Sequence, residues 1–419
     1  MVFAGKADLL EEKITKMGFV TMDNLVGPGS PSSLRVANQK RVLAAIIDAG
    51  GISQAEISRR TGLAPATVSN IVRELTEAEI LRLAEAASGR RGNTIAFAPD
   101  IGYAMGVSLE REQVRVGIVT LDHEIVDTRV IPLPAESTAN VNKEMAVDLF
   151  DSMMAAKGLK NAQIVAGCIV VADAVRSDGR LSNYTAMIPG LNGINLEDIA
   201  QEVSPFPILT ENDANAGALA EHMWGAAKDV DDFVYIEASS GIGAGIMADG
   251  KILYGTGGIS GEIGHLPIPN HHELCKCGGS GCLEMTASVS AIMASLRSLG
   301  MPVHTLSDLY RLIEEGDVRA TRRIHEAARA IGYVLAQVCN ILNPKMIVIG
   351  GELSYAGEAF LNQVRETINE IALPDCAADA TLHLSALGSS APLRGAMAKA
   401  VSMVDLDAIL QRFLSDESN

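Results

Sequence analysis

The sequence predicts a mixed α/β protein, in which a small N-terminal domain of three helices and a β-hairpin precedes two similar α/β lobes. Hydrophobic residues make up 48% of the 419 residues but aromatic residues only 4%, so aliphatic side chains must fill the cores, as in layered α/β proteins. Closely spaced helical patterns occupy most of the first hundred residues. After Pro99 a three-strand pattern occurs twice, which predicts a duplicated body.

Residues 1–35 are expected to form a flexible N-terminal segment, because the stretch 27–33 is rich in glycine, proline and serine. The apolar spacing that follows predicts a helix over residues 36–49, which stops at a glycine pair. We expect this helix to open the first folded domain, which spans residues 36–99.

A second and a third helix follow with recognisable start signals. Ser53 and Glu56 have the spacing of a capping box, in which the Ser hydroxyl accepts a backbone N–H and the Glu side chain reaches back. Gly62 permits a sharp turn, and Pro65 suits the first position of the third helix. Ala64 cannot supply a capping side chain, so that helix start is less well stabilised. The pattern indicates a helix-turn-helix.

The third helix has an apolar face and a polar face, as a DNA-recognition helix does. The apolar face is formed by Val68, Ile71, Val72 and Leu75. The polar face carries the candidate DNA-binding residues Thr67, Ser69, Asn70 and Arg73. Two predicted strands, 80–83 and 94–97, then flank a basic loop, whose Arg90 and Arg91 would contact DNA as the wing of a winged helix.

The charge distribution favours DNA binding by this domain alone. The whole chain has a formal net charge of −17, so phosphates would be repelled by most of its surface. Between residues 36 and 98, however, eight basic residues outnumber six acidic ones. The alternative is a small helical domain whose arginines serve only to solvate it.

From residue 100 onward, strand and helix patterns alternate, which predicts one lobe at 100–230 and a second at 231–400 with a cleft between them. The repeated strand patterns are 103–109, 113–121 and 124–132 in the first lobe, and 233–238, 241–248 and 251–254 in the second. Such a duplication is typical of a hinged ligand-binding body. Residues 401–419 form an amphipathic segment that either packs in the core or docks a protein partner. Its apolar residues are Leu406, Ile409, Leu410, Phe413 and Leu414.

One histidine and three cysteines lie close together in the second lobe. They are His265, Cys275, Cys277 and Cys282. Tetrahedral zinc takes four such donors, and the glycines among them let a short loop wrap around an ion. Four protein ligands leave no open position, so we expect one structural Zn²⁺ per chain. His271 or His272 could replace His265, and the remaining alternative is three reduced thiols in a glycine-rich loop.

Three parts of the sequence together resemble the ROK family, which contains sugar kinases and sugar-responsive repressors. They are E-I-G-H at 262–265 with C-K-C-G-G-S-G-C-L-E at 275–284, E-N-D-A-N at 211–215, and the segment 343–351. The resemblance spans residues 103–400 and implies an actin-like, hexokinase-type fold. Family members with an N-terminal winged helix are of the xylose repressor and N-acetylglucosamine repressor type, and this chain combines the same two parts.

The resemblance also implies a sugar site in the cleft. In family kinases, the residues matching Asn212 and Asp213 bind the sugar and act as the catalytic base. The family's zinc loop supplies sugar contacts that match Glu262, His265 and Glu284. Convergent acceptors suit a hydroxyl-rich ligand, and a carboxylate beside the attacking hydroxyl can take its proton. The alternative is that Asp213 and Asn215 only cap the helix predicted at 216–224.

The nucleotide side departs from the family's pattern. Family kinases open the first lobe with Asp-x-Gly-Gly-Thr, in which the Asp serves the metal ion and the glycines admit phosphate. That register holds Ser108, Glu110, Arg111 and Glu112 here. Two carboxylates in a bulky loop oppose a triphosphate, so we expect no ATP and no phosphoryl transfer, which leaves Asp213 as a vestigial base. The second phosphate-type loop, 239–245, is partly intact and is also explained as a tight strand turn.

The sequence therefore predicts a sugar-responsive transcriptional regulator that acts as a repressor and has no enzyme activity. Its expected partners are operator DNA, a sugar or sugar phosphate, and further copies of itself in a dimer or tetramer, since one winged helix reads one half-site. The sequence has no apolar run of membrane-spanning length, so a cytoplasmic location is expected. The alternatives are a sugar kinase with a DNA-binding appendage, and a regulator controlled by a protein partner, with a vestigial sugar site.

Overall fold

The first domain is a helix-turn-helix followed by a two-stranded hairpin. The computed structural model describes residues 31–85, 93–99, 101–134, 137–183 and 191–414. The elements of the first domain are α1 (Pro31–Ala49), α2 (Gln54–Thr61), α3 (Pro65–Glu77), β1 (Leu81–Glu85) and β2 (Asn93–Phe97). Strands β1 and β2 pair antiparallel. This order of elements confirms the predicted winged-helix arrangement.

Helix α1 begins earlier than predicted. The apolar pattern placed its start at Val36, whereas the structure starts it at Pro31, a residue type that suits the first turn of a helix. The breaker-rich stretch therefore contributes its last residues to the helix. The remainder of the predicted flexible segment, residues 1–30, lies outside the described residues.

The capping box at α2 is only half formed. Ser53 accepts a hydrogen bond from the backbone N–H of Glu56, as predicted. The Glu56 side chain does not reach back but pairs with Arg59 and Arg60, one turn further along the helix. Two charged partners thus replace the second cap bond. Ala64 makes no side-chain cap at α3, also as predicted.

The first lobe contains a five-stranded sheet in the order β5-β4-β3-β6-β7. Its elements are β3 (Tyr103–Leu109), β4 (Gln113–Thr120), β5 (Ile125–Pro132), α4 (Ala139–Lys157), β6 (Ile164–Val171), α5 (Leu196–Gln201), β7 (Ile208–Asn212) and α6 (Asp213–Trp224). Strands β5, β4 and β3 form an antiparallel meander, and β6 and β7 continue the sheet in parallel.

The second lobe repeats this topology in the order β10-β9-β8-β11-β12. Its elements are β8 (Phe233–Ala238), β9 (Ile242–Ala248), β10 (Lys251–Ile252), α7 (Glu284–Ala287), α8 (Val289–Ser298), α9 (Leu306–Glu314), α10 (Val318–Leu342), β11 (Met346–Gly350), α11 (Gly357–Ile371), α12 (Pro374–Asp379) and β12 (Thr381–Leu384). Again an antiparallel meander is extended by parallel strands, which confirms the predicted repeat. Every helix within the described ranges is too short or too polar to cross a bilayer.

The last two helices, α13 (Ala391–Ser402) and α14 (Leu406–Leu414), return to the first lobe and the winged helix. Gly106 in β3 makes room for α13, because a Cβ there would lie 2.7 Å from Cγ of Met397. On α14, the predicted apolar residues Leu406, Ile409 and Leu410 are buried in one core with side chains of α1. The described apolar residues of the amphipathic segment therefore pack in the chain's own core, which is the first of the two predicted alternatives.

A second contact joins the winged helix to the turn between β4 and β5. Both carboxylate oxygens of Asp122 accept hydrogen bonds from the backbone N–H of Phe97, at 3.0 and 2.9 Å. Nε2 of His123 lies 2.6 Å from the carbonyl oxygen of Ile47. Burial raises the pKa of Asp122 to about 6, against the lowering effect of the Phe97 N–H. The winged helix is thus held against the first lobe by polar as well as apolar contacts.

Candidate functional site

The five residues predicted to bind sugar line one small cavity between the lobes. They are Asn212, Asp213, Glu262, His265 and Glu284. They come from the end of β7, the start of α6, the short 3-10 turn Ile263–His265 with the residue before it, and the start of α7. The cavity has a volume of about 40 Å³, which is room for a few water molecules. Residues far apart in sequence thus converge as predicted.

The junction of β7 and α6 is fixed by Asn212. Its Oδ1 accepts from the N–H groups of Ala214 and Asn215, at 2.9 and 3.1 Å, and so caps α6. Its Nδ2 donates to the carbonyl oxygen of Asp173 and to Oδ1 of Asp213. The capping residue is therefore Asn212. The capping alternative had assigned this role to Asp213 and Asn215. Asp213 contributes a further acceptor to the Ala214 N–H.

A buried charged network supports this junction from behind. Oε1 of Glu211 accepts from the backbone N–H of Asn212 and from Nδ2 of Asn215. Its Oε2 accepts from the Tyr254 hydroxyl at 2.7 Å, and Nζ of Lys399 lies 3.6 Å from the same oxygen. Because Glu211, Tyr254 and Lys399 belong to the first lobe, the second lobe and α13, the network ties three parts of the body together.

The electrostatics of the cavity are those of a cluster of acids. Burial, together with the carboxylates of Glu237, Glu262 and Glu110, raises the pKa of Asp213 well above its usual range. Burial and the charges of Asp173 and Glu284 raise the pKa of Glu262 to about 7. Neutral or shared-proton carboxyls can donate as well as accept, which matches the hydroxyl groups of a sugar.

Sequence reasoning missed Asp173, which lines the same cavity. It follows the end of β6, and its Oδ1 accepts from the N–H of Ala174. A polar residue just beyond the carboxyl end of a buried parallel strand lies where open α/β sheets bind ligands. Its position after the strand was the sequence signal from which Asp173 could have been predicted.

The predicted metal ligands form a compact cluster. The ligand atoms of His265, Cys275, Cys277 and Cys282 all lie within 4.8 Å of one another. Two of the separations, Cys275 Sγ to His265 Nδ1 and Cys277 Sγ to Cys282 Sγ, are 3.7 Å. A tetrahedral ion with bonds of about 2.3 Å to sulfur separates its ligands by about 3.8 Å. The donors and their spacing fit such an ion.

The alternative histidines take no part in the cluster. Nδ1 of His271 lies 3.0 Å from the Thr286 hydroxyl and 3.6 Å from Oε2 of Glu273. The turn that carries the cysteines needs glycine at Gly281, where φ is +69° and a Cβ would lie 2.3 Å from the carbonyl oxygen of His271. The backbone of His271 therefore supports the cysteine loop, whereas its side chain points elsewhere.

The cluster adjoins the cavity of about 40 Å³, which we call the sugar-side cavity, through His265. Its Nδ1 faces Cys275, and its Nε2 lies 3.8 Å from Oε2 of Glu262. On the other side, Cys282 is two residues before Glu284, whose Oε2 accepts from the N–H of Ile242 at 3.3 Å. A group that fixes the cluster thus fixes the backbone on both sides of the cavity acids.

A second cavity of about 370 Å³ continues the cleft on the nucleotide side and shares Asp213 with the first. It is lined by five acids, Glu110, Glu112, Asp213, Glu237 and Glu352, and by the basic Arg111 and Arg115. The residues of the degenerate register, Ser108 and 110–112, all line it. Its charge is therefore negative, with the acids placed where a phosphate loop would run.

Two acids of the second cavity, Glu110 and Glu237, make close polar contacts with neighbouring residues. Glu110 lies 2.9 Å from Nε of Arg115, and Ser108 donates to it at 3.2 Å. Glu237 accepts from the hydroxyls of Tyr235 and Ser239, and burial raises its pKa to about 7. Burial, followed by the charges of Glu110 and Glu237, raises the pKa of Glu352 to about 7 as well. Glu110 and Glu237 are thus paired with residues of the protein on this side of the cleft.

The ROK family model matches residues 104–402 of this chain, and the MarR family model matches residues 34–92. The chain belongs to the ROK family. A xylose repressor from Caldicellulosiruptor bescii is 28% identical over 393 residues, which cover 89% of this chain and 98% of the relative. The resemblance drawn from the sequence is thereby confirmed.

Two solved ROK structures show the same architecture. A ROK family transcriptional regulator, a homologue of the E. coli MLC protein, has a TM-score of 0.71 at 25% identity, covering 91% of this chain and 99% of its own. A ROK family glucokinase from Streptomyces griseus, in complex with glucose and AMPPNP, has a TM-score of 0.61 at 27% identity, covering 71% and 99%. The regulator is matched over a larger share of this ROK chain than the kinase.

The predicted DNA-recognition face of this ROK protein lies on the outer side of α3. Ser69, Asn70 and Arg73 are exposed, Thr67 is partly exposed, and the predicted inner residues are buried. Arg73 donates to Oδ1 of Asn70 at 3.3 Å and lies 3.9 Å from Glu77. Its guanidinium is thus presented on the surface. The wing residues Arg90 and Arg91 lie outside the described residues.

Proposed function

We propose that this ROK protein is a sugar-responsive transcriptional repressor, which binds operator DNA through its winged helix and a sugar or sugar phosphate in the cleft between its lobes. The observation that carries the proposal is that one chain joins an exposed recognition helix to a cavity with a convergent set of sugar-type acceptors. Its relatives and structural neighbours with the same two parts are named as repressors and regulators.

In this proposal Asp213, Glu262 and Glu284 accept hydrogen bonds from sugar hydroxyls, and His265 contributes Nε2. Asn212 would exchange its Nδ2 hydrogen bond to Asp213 for one to the ligand. The acids suit an uncharged polyol, because each oxygen can accept a strong hydrogen bond without competing with a ligand charge. The cavity of about 40 Å³ is smaller than a monosaccharide, so the lobes must separate to admit one. Binding is then coupled to lobe movement.

We infer that the Cys and His cluster holds one structural Zn²⁺, which would fasten the loop between His265 and Glu284. The four donors would complete the shell, so the ion would supply no open position for catalysis. Its contribution is to hold the cavity acids in place.

The same protein is proposed to lack kinase activity. Phosphoryl transfer needs a metal-serving carboxylate and a loop that cradles phosphate. Ser108 stands at the first position, and the loop positions carry Glu110, Arg111 and Glu112 beside the further acids Glu237 and Glu352. A triphosphate would enter a cavity of its own charge sign. The alternative, a sugar kinase with a DNA-binding appendage, predicts sugar-dependent ADP release.

Contacts between the domains provide a route from sugar to DNA. The winged helix is anchored to the first lobe at Asp122 and to α13 and α14 through a shared core. A rotation of the first lobe therefore carries α3 with it. In a dimer, this would change the distance between two recognition helices, which read half-sites about 34 Å apart. We propose that sugar binding switches DNA affinity by changing the distance between the two recognition helices of a dimer.

The first test is DNA binding by Arg73→Ala, on operator DNA recovered by selection from a random pool. We expect a loss of about fivefold to 150-fold, since a base-reading Arg contributes about 1–3 kcal/mol. Arg322→Ala is the matched control, because Arg322 is also an exposed helical Arg with a Glu four residues on. Equal affinities of the Arg73 variant and the wild type would contradict the assigned recognition face.

The second test adds sugars to the DNA complex. Xylose, glucose, N-acetylglucosamine and their phosphates are titrated, and DNA affinity is measured by fluorescence anisotropy. At least one should change the affinity, and Glu284→Gln should weaken that response. Sugar-dependent ADP release in a coupled assay would instead place the chain among the kinases.

A further inference from the structure

The first lobe contains a mainly apolar cavity behind the sheet, which shares Leu109 with the nucleotide-side cavity. It has a volume of about 200 Å³ and lies between one face of the sheet and helices α4 and α5. Met105 and Val107 of β3 line it from the sheet, and Ala146, Phe150 and Leu196 line it from the helices and the segment before them. None of the residues that line the sugar-side cavity also lines this one.

One polar side chain in this cavity is buried without a partner. Asn142, in the first turn of α4, is 2% exposed. Neither its Oδ1 nor its Nδ2 makes a hydrogen bond to the described residues of the protein. A buried amide that leaves both its donor and its acceptor unused is costly, and native proteins usually satisfy such groups. An apolar side chain of similar size would avoid that cost, so the amide points to a ligand.

We propose that this cavity binds a small apolar molecule that carries one neutral group able both to donate and to accept a hydrogen bond, as a primary carboxamide does. The free Oδ1 and Nδ2 of Asn142 match the N–H and the C=O of such a group. The size agrees, since a cavity of about 150 Å³ lined by apolar side chains can hold a benzene ring. One ring with a carboxamide therefore fits about 200 Å³.

The cavity suits a mainly apolar ligand better than a sugar. Most of its wall is apolar, and its polar residues other than Asn142 are Asn140, Lys143, Asp151, Asn161 and Ser204, so many hydroxyls of a sugar would face apolar side chains. The basic Lys143 is half-buried at this cavity and lies 3.8 Å from Glu202, so its charge has a partner. The inference is therefore independent of the proposed sugar site.

The location gives the ligand a route to influence the cleft. Met105 and Val107 face the apolar cavity, whereas Ser108 on the same strand lines the nucleotide side. Successive side chains of a strand point to opposite faces, so a molecule behind β3 presses on the strand that shapes the cleft.

The test uses the full chain, with benzamide as the probe and toluene as the matched ring without the amide. Thermal midpoints and ligand-observed NMR are recorded for the wild type, Asn142→Leu, Ala146→Leu and the control Ala156→Leu, which changes an exposed alanine of the same helix. Benzamide should stabilise the wild type and bind at least tenfold more tightly than toluene.

Each variant has its own expected result. Asn142→Leu should lose the preference for benzamide over toluene, and Ala146→Leu, which fills the cavity, should abolish binding of both. Ala156→Leu should bind like the wild type. The proposal is overturned if neither probe binds the wild type, or if Ala146→Leu leaves binding unchanged. A crystal structure with water alone on the Asn142 amide in the presence of benzamide would overturn it too. If Asn142→Leu does not fold, the Ala146→Leu comparison still decides.

Discussion

The two ends of the cleft share Asp213 but have different chemistry. The sugar side gathers acids, an amide and an imidazole around a cavity of about 40 Å³, beside the Cys and His cluster. The nucleotide side surrounds about 370 Å³ with five acids, and the phosphate-loop positions are filled by large side chains. An uncharged polyol is compatible with clustered carboxyls, whereas a triphosphate is not. In our proposal, this difference in charge between the two ends is what distinguishes a sugar sensor from a sugar kinase of the same fold.

The two ends are also held in place differently. The sugar-side acids are positioned by the cap at Asn212 and by the cluster of His265, Cys275, Cys277 and Cys282, whose cysteines lie outside the cavity lining. On the nucleotide side, individual acids are held by adjacent side chains: Arg115 pairs with Glu110, and the Tyr235 hydroxyl donates to Glu237. We therefore expect damage to the cluster to disable the sugar side only.

The largest effect is expected from Cys282→Ser. It removes a buried ligand of the proposed ion and should reduce bound zinc from one per chain to a small fraction, as measured by elemental analysis. Sugar binding should be lost with it, because Glu284 is two residues away. Cys376→Ser, outside the cluster, is the control and should change neither property. A metal-free wild type that still binds sugar would contradict the role of the ion.

The next effect is expected from Glu284→Gln. The amide oxygen can still accept from the Ile242 N–H, so the fold is kept while the charge is removed. Sugar affinity should fall tenfold to a hundredfold, about 1–3 kcal/mol, as charge-assisted hydrogen bonds are weakened. Glu112→Gln on the nucleotide side is the matched control and should leave sugar affinity, measured by isothermal titration, unchanged. Equal losses in the two variants would remove the distinction between the two ends.

Much of this architecture could be predicted from sequence, because local signals and global fold agree. The strands 103–109 and 233–238 have the predicted bounds, since strong apolar runs between turn residues define them. The cluster of three cysteines and one histidine was also recognisable, because a tight loop with glycines leaves few arrangements for these residues.

What could not be predicted depends on contacts between distant residues. The start of α1 at Pro31 was hidden by neighbouring breakers that suit a first helical turn as well as a loop. Asp173 carries no motif and becomes a cavity residue only when β6 lies beside β7. The core of α14 with α1 joins residues more than 350 positions apart, which no local pattern reveals. The cap at Asn212 is local, but it was assigned to Asp213 and Asn215 because the helix was predicted to begin at 216 and begins at Asp213.

The nucleotide side can be tested by restoring its register. The combined variant Ser108→Asp, Glu110→Gly, Arg111→Gly and Glu112→Thr keeps the net charge, because it adds one acid, removes two and removes one Arg. It replaces the bulky loop by one that can cradle phosphate. We expect Mg-ATP binding to be undetectable in the wild type and to become measurable by titration in the variant, a gain of tenfold or more. ATP binding by the wild type at the strength of the variant would show that the side chains at Ser108 and 110–112 do not exclude nucleotide.

The smallest effect concerns the pH dependence of stability, and Glu352→Gln isolates it. Burial and neighbouring acids raise the pKa of Glu352 from 4.5 to about 7 in the folded protein. The folded state therefore holds this proton to higher pH than the unfolded state, so the contribution to stability is present below about 4.5 and is lost as the pH rises through about 7. Glutamine stays neutral. We compare the free energy of unfolding of the variant with that of the wild type at each pH. The variant's advantage should be about 1–2 kcal/mol larger at pH 8 than at pH 5 in thermal or urea unfolding. Glu358→Gln, at an exposed position of α11, is the control for loss of one acidic side chain. A Glu352→Gln difference that is the same at both pH values would mean that the nucleotide side tolerates its charges, and would weaken the electrostatic contrast between the two ends of the cleft.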